Sequence, residues 1–157
     1  MNWLRRRLWE PMLSLLRHGL SPEGLAWSLA LGLGVGISPL FGTSTGLCLL
    51  LGFIFRLNQP AMQLANYLAY PLQLLLLIPF IRLGEMLFRA PRLPLSVDVL
   101  VGAFRADAWA ALGAFWTSFW HAAVVWLLLA PLISTLLALV LTPIFRTASR
   151  RFRKVRA

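Results

Sequence analysis

Charge is what this sequence has least of: 13% of its 157 residues are charged and 59% are apolar, where soluble domains carry roughly a quarter charged. That shortage excludes an ordinary soluble domain and reads as an integral membrane protein. Acids are the scarcest, with only Glu10, Glu23, Glu85, Asp98 and Asp107, and none of these five lies inside a long uncharged run. A buried acid/base pair or an intramembrane proton relay is therefore not visible, which argues against proton-driven transport. Cys48 is the single cysteine, set in Leu-Cys-Leu-Leu, so no intrachain disulfide can form and a buried, inert thiol is expected. His18 and His121 are the only histidines, and neither has a second His, Cys or carboxylate nearby at ligand spacing. No metal site and no cofactor are expected. Lys154 is the only lysine, so the glycine-rich stretch lacks a Walker lysine and is no nucleotide loop.

What the chain does carry is arginine, which makes almost all of a formal net charge of +10 and sits mostly at the two ends. Basic residues flanking apolar runs obey the positive-inside rule, and each contributes about 1 kcal/mol beside an anionic leaflet. The expected partner is thus a bilayer with anionic lipids and not nucleic acid, for which no recognition fold or aromatic platform accompanies the charge. Residues 1–20 combine Trp3, Leu4, Arg5, Arg6, Arg7, Leu8 and Trp9 with Pro11 and a closing Gly19. This pattern predicts an interfacial helix and not a signal peptide, since Glu10, Pro11 and Arg17 interrupt the apolar run.

The organising stretch is Gly32 to Gly46, GLGVGISPLFGTSTG, in the middle of an uncharged run from Leu25 to Phe55. At about 1.5 Å per residue that run would make a helix of roughly 46 Å, too long for one crossing of a core about 30 Å thick and too short for two. Pro39 has no amide to continue a helix, and Ser38 before it is pushed towards extended backbone. Gly42 and Thr43-Ser44-Thr45 then supply a loop and a new helix start. Ser21-Pro22-Glu23 begins the first half with a cap, a proline and an acid against the dipole. Residues 21–56 are therefore read as a re-entrant hairpin of two half-helices. Two small-residue motifs, Gly32-x-x-x-Gly36 and Gly42-x-x-x-Gly46, are expected to admit close backbone approach. Gly42 to Gly46 also spells the Gly-x-Ser-x-Gly nucleophile elbow, but that motif needs a preceding strand and a following His and acid, so no catalytic residue is assigned and no enzyme is expected.

Residues 57–82 follow as one span, opened by Asn58-Gln59-Pro60 and kinked at Pro71 and Pro79. Gln59, Gln63, Asn66, Tyr70 and Gln73 are spaced 4, 3, 4 and 3, which places them within an arc of about 80° on a helix. Lipid would leave such amides unsatisfied, so this stripe must face protein or water. Residues 83–107 form an extramembrane loop with a short amphipathic piece, preceded by Arg82, which can pair with Glu85 at a helix end for little gain if exposed. Residues 108–145 hold an interfacial segment rich in Trp109, Trp116 and Trp120 and then a span near Ala122 to Thr142, bent at Pro131. Residues 146–157, with six basic residues and no acid, make a basic cytoplasmic tail. Both termini then face the cytoplasm of a multi-pass inner-membrane protein, and the crossings are even in number. The expected fold is an all-α integral membrane protein with a re-entrant helical hairpin, two full transmembrane helices and interfacial amphipathic helices; a four-crossing arrangement is the rival.

Gly34-x-Gly36, Ser38-Pro39-x-x-Gly42, Arg56-Leu57-Asn58 and a polar helix closing in Tyr70-Pro71-Leu72-Gln73 resemble the bacterial membrane family catalogued as domain of unknown function 2062. The resemblance covers roughly Leu20 to Phe88. Family members commonly show Asn-Pro-x-Thr where this chain has Tyr70-Pro71-Leu72-Gln73, and some are joined to sugar-transferring enzymes. Membrane placement and the importance of the hairpin are what the resemblance implies; it implies no reaction.

Two function classes follow. In the first, the hairpin tip Ser38, Pro39, Gly42, Thr43, Ser44 and Thr45 and the stripe Gln63, Asn66, Tyr70 and Gln73 form a site at membrane depth for an anionic lipid headgroup or small solute, because half-helix starts aim amides inward. In the second, the same groups are interhelical glue, and the chain is a membrane scaffold or accessory subunit of a cell-envelope or glycan-related complex. A chain this small encloses no wide path alone, which favours a homo-oligomer or a membrane partner protein.

Overall fold

The computed structural model describes residues 21–93 and 96–156, and the interfacial helix expected over residues 1–20 lies outside them. Among the described residues the fold is all helical: α1 Pro22–Gly36, α2 Ser44–Ile54, α3 Gln59–Leu68, α4 Tyr70–Leu87, α5 Val97–Ala106 and α6 Ala108–Arg156. Two of them, α4 and the part of α6 from Ala108 to Ser149, are long and apolar enough to cross a membrane.

The start signals act as their chemistry dictates. Ser21 Oγ accepts the Gly24 amide at 3.0 Å with Pro22 behind it, and Asn58 Oδ1 accepts the Ala61 amide at 2.8 Å with Pro60 in the first turn of α3. Asp107 Oδ1 takes the amides of Trp109 and Ala110, both at 3.0 Å, and so opens α6. The stop in α1 comes at Gly36, just ahead of Ser38-Pro39. Chain direction then reverses through residues 37–43, with Gly42 at φ +80, a left-handed conformation open to glycine.

α1 is the central helix, held between α3 and α6 with α2 alongside. Its Gly32 and Gly36 face α3: a Cβ at Gly32 would strike the Met62 carbonyl, and one at Gly36 would lie 2.6 Å from Ala69 Cβ. Gly34, between them, turns the other way onto Ser134 of α6. Thus α1 and α3 run parallel, while α2 returns antiparallel, bringing Cys48 against Val35 and Leu51 towards the Leu57 end in one apolar cluster with Met62. Ser28, fully buried, ties the start of α3 to α1 by accepting the Asn58 amide at 2.9 Å and donating to the Gly24 carbonyl at 2.7 Å. Arg146 pairs with Glu23, so the basic end of α6 lies beside the start of α1. A second cluster joins Ile37, Ala69, Phe80, Ile81, Ala122 and Trp126 where α4 crosses α6. At its far end Gly84 lets the helices approach, with His121 backbone 2.7 Å from where a Cβ would stand.

Several expectations need correction. The helix predicted over 57–82 is two helices, because Ala69 ends α3 and begins α4 just ahead of Pro71, whose missing amide cannot bond back to Tyr67. α4 also runs on to Leu87, so the connection begins later than residue 83, and Arg82 and Glu85 pair near the helix end as expected. Their pair is not an exposed one: the Glu85 side chain is 3% accessible, accepts Arg82 Nη1 at 2.7 Å and accepts the Leu93 amide at 2.7 Å. α6 stays continuous at Pro131, as a bend without a break allows, but it also joins the expected interfacial segment, span and basic tail into one helix that runs through Pro143 to Arg156. Gly42-x-x-x-Gly46 is no packing motif among the described residues, where a Cβ at either glycine meets nothing within 4 Å.

Candidate functional site

The polar stripe and the hairpin come together along the groove where α3 and the start of α4 meet α2 and the turn. Each glutamine reaches a backbone carbonyl. Gln59 Nε2 donates to Leu49 at 2.9 Å, Gln63 Nε2 to Thr45 at 3.2 Å and Gln73 Nε2 to Ser38 at 2.6 Å. Those carbonyl partners fix the sense of each amide, because turning one over would set oxygen against oxygen. Every glutamine oxygen on this seam is consequently left facing away, and Gln59, Gln63 and Gln73 Oε1 are all buried without a partner among the described residues.

Asn66 sits among them, 1% exposed, beneath the end of α1 where Gly36 meets its backbone. Neither its Oδ1 nor its Nδ2 has a hydrogen-bond partner among the described residues. Such a group costs about 1–3 kcal/mol when left unpaired in the interior, and native structures keep few of them. The seam therefore concentrates unspent hydrogen-bonding capacity, mostly acceptors, in one line.

The hairpin residues divide by depth. Ser38 and Pro39 are fully buried, and Ser38 Oγ accepts the Leu40 amide at 3.1 Å. Thr43 is exposed, and its hydroxyl donates to the Leu40 carbonyl at 3.0 Å, bracing the turn. Gly42 is exposed and meets no neighbour. Ser44 is buried at the first position of α2, preceded by a turn and a helix where a nucleophile elbow has a strand. Tyr70 does not join the others: it is 42% exposed and stacks on Tyr67 with centroids 6.0 Å apart.

Sequence reasoning missed two features. Trp126 Nε1 donates to the Gly34 carbonyl at 2.8 Å in a buried bond that reaches the last turn of α1, where helix carbonyls lack partners of their own. Nothing local in the sequence marks that pairing across 92 positions. Glu85 was visible only as a helix-end partner for Arg82; the return of Leu93 onto it is tertiary. His121 stacks on Phe88 at 4.3 Å with its Nδ1 buried and unpartnered. No group of three or more His, Cys, Asp or Glu comes together among the described residues.

The sequence matches, over residues 3–157, the family described as an uncharacterized protein conserved in bacteria, DUF2062. The chain belongs to that family. DUF2062 thus takes in the whole of the fold above, α5 and α6 included, and not only the stretch from Leu20 to Phe88 that carries the recognisable motifs. No curated protein and no solved structure matches the chain significantly.

Proposed function

We propose that this DUF2062 protein is a multi-pass protein of the bacterial inner membrane, with both termini cytoplasmic, that handles a lipid headgroup or small polar solute at the seam between a re-entrant hairpin and α3–α4. Membrane insertion is supported by the apolar surface of α4 and α6, where Leu74, Leu75, Leu128 and Leu139 are all more than half exposed. Re-entry is supported by length and direction: α1 and α2, with 15 and 11 residues, reach only about 22 and 16 Å and run back to the end where Arg146 meets Glu23. Irregular backbone at such a depth is tolerated where protein or a wet cavity surrounds it.

Asn66 carries the reading. A buried amide with nothing to bond is a cost to folding, and sites accept such costs where a ligand or water completes the network. A headgroup or solute moving along the seam would meet the amides of α2's first turn and the free oxygens of Gln63 and Gln73. Anionic lipid groups suit the former and hydroxyl donors the latter.

The scaffold reading has its own support in the three glutamine-to-carbonyl bonds, each an interhelical tie of about 0.6–2 kcal/mol. Asn66→Leu separates the two, because this side chain has no tie to lose. The variant melts at or above wild type in mild detergent, having shed an unpaired polar group. If the seam handles a solute or headgroup, liposomes bearing the variant lose labelled-lipid flip or solute flux that wild type shows. Flux unchanged in Asn66→Leu, or absent from wild type, rejects the site and leaves a scaffold.

A further inference from the structure

An open cavity of about 450 Å³ lies beside α1, walled by Trp27 and Leu31 of that helix, Phe55 and Leu57 of the α2–α3 turn, and Pro131, Ser134 and Thr135 of α6. Its volume is that of a ligand site, about 300–1,000 Å³, yet such sites carry convergent polar groups and this wall is almost wholly apolar. The Thr135 hydroxyl is already committed, donating to the Pro131 carbonyl at 2.8 Å. Hydrocarbon fits here and a polar solute does not.

Arg56 stands in the chain between the two turn residues that line this cavity, and it is exposed. Its backbone is left-handed, φ 52. The Phe55 amide donates to Leu51, that of Arg56 to Phe53 at 3.3 Å and that of Leu57 to Gly52 at 2.8 Å, the closure whose left-handed residue is by default glycine. An arginine there carries a penalty of about 1–2 kcal/mol, and among the described residues no acid pairs with it. Arg89, φ 51, closes α4 in the same way, the Ala90 amide donating to Glu85 at 2.9 Å, but its chain neighbours do not line this cavity as Phe55 and Leu57 do.

We propose that the cavity seats an anionic phospholipid of the surrounding bilayer, one acyl chain lying against Trp27 and Leu31 and the phosphate meeting the Arg56 guanidinium. An apolar furrow walled by a turn that carries an exposed arginine matches that amphiphile in both parts. The inference rests on membrane insertion of the chain and is independent of the seam at Asn66.

The full chain in mild detergent, supplied with phosphatidylglycerol and phosphatidylcholine in equal amounts, is read by native mass spectrometry. Wild type and Arg56→Lys retain phosphatidylglycerol about fivefold better, the equivalent of ~1 kcal/mol for one basic residue beside anionic lipid. Arg56→Asn, which tolerates the left-handed backbone, loses the preference, and Arg89→Asn keeps it. Leu31→Trp, which fills the furrow, lowers retention of both lipids. Asn66→Leu is read in parallel: a preference lost in Asn66→Leu and kept in Arg56→Asn places the retained lipid at the seam and overturns the proposal. Equal retention of the two lipids by wild type, or an unchanged preference in Arg56→Asn that still melts as wild type, overturns the proposal.

Discussion

Replacing Gly32 with alanine tests the packing of the central helix, and replacing Gly46 supplies its internal control. A Cβ at Gly32 would collide with the Met62 carbonyl and lie 2.8 Å from Ala65 Cβ. Both neighbours belong to the backbone or stand one bond from it, so neither can swing away and α1 must move off α3. Overpacking of this kind costs about 1–3 kcal/mol, set against at most about 1 kcal/mol gained from alanine's helix propensity. At Gly46, inside α2, the added Cβ meets nothing within 4 Å, and only the propensity gain of about 1 kcal/mol remains. The two substitutions are chemically identical and should move stability in opposite directions. Cys48 makes the assay direct: the single thiol is fully buried between α1 and α3, so a thiol-reactive fluorophore reports its release as the protein is heated in mild detergent. Gly32→Ala should melt below wild type and Gly46→Ala at or above it. Gly32→Ala melting as wild type, or Gly46→Ala falling as far as Gly32→Ala, would refute the close α1–α3 approach.

Removing Glu85 by alanine should cost about 1–3 kcal/mol, because the Leu93 amide loses its buried acceptor, whereas Arg82→Ala, with a side chain 39% accessible, should cost about 0–1 kcal/mol. Equal losses in thermal melting would show that the ion pair and not the amide matters. In a Cys48→Ser background, cysteines at Asn2 and Ala157 should label with an impermeant maleimide only from the cytoplasmic side and Ser96→Cys only from outside. Labelling of position 96 from the cytoplasm alone rejects two full crossings.

The sequence by itself determined class and punctuation. Scarce charge and long uncharged runs required helices with apolar surfaces, and Pro, Ser and Asn signals put the starts of α1 and α3 and the stop before Pro39 where the chain has them, because capping and proline chemistry act over three or four residues. The polar stripe was legible for the same reason, as angular periodicity along one helix. Tertiary structure decided what these local rules cannot reach. Tyr70 leaves the stripe to stack on Tyr67, while Gln73 beyond it returns to Ser38. Gly34 faces α6 and Gly42 faces nothing, although all the glycines look alike in sequence, because only a neighbour's position tells a glycine that admits a helix from one that admits a turn. The exposure of Glu85 and the partner of Trp126 depended on residues 8 and 92 positions away. Whether an amide is glue or is left unpaired likewise depends on which carbonyl happens to stand opposite: Gln63 finds Thr45 at 3.2 Å, and Asn66, one turn further along the same face, finds none.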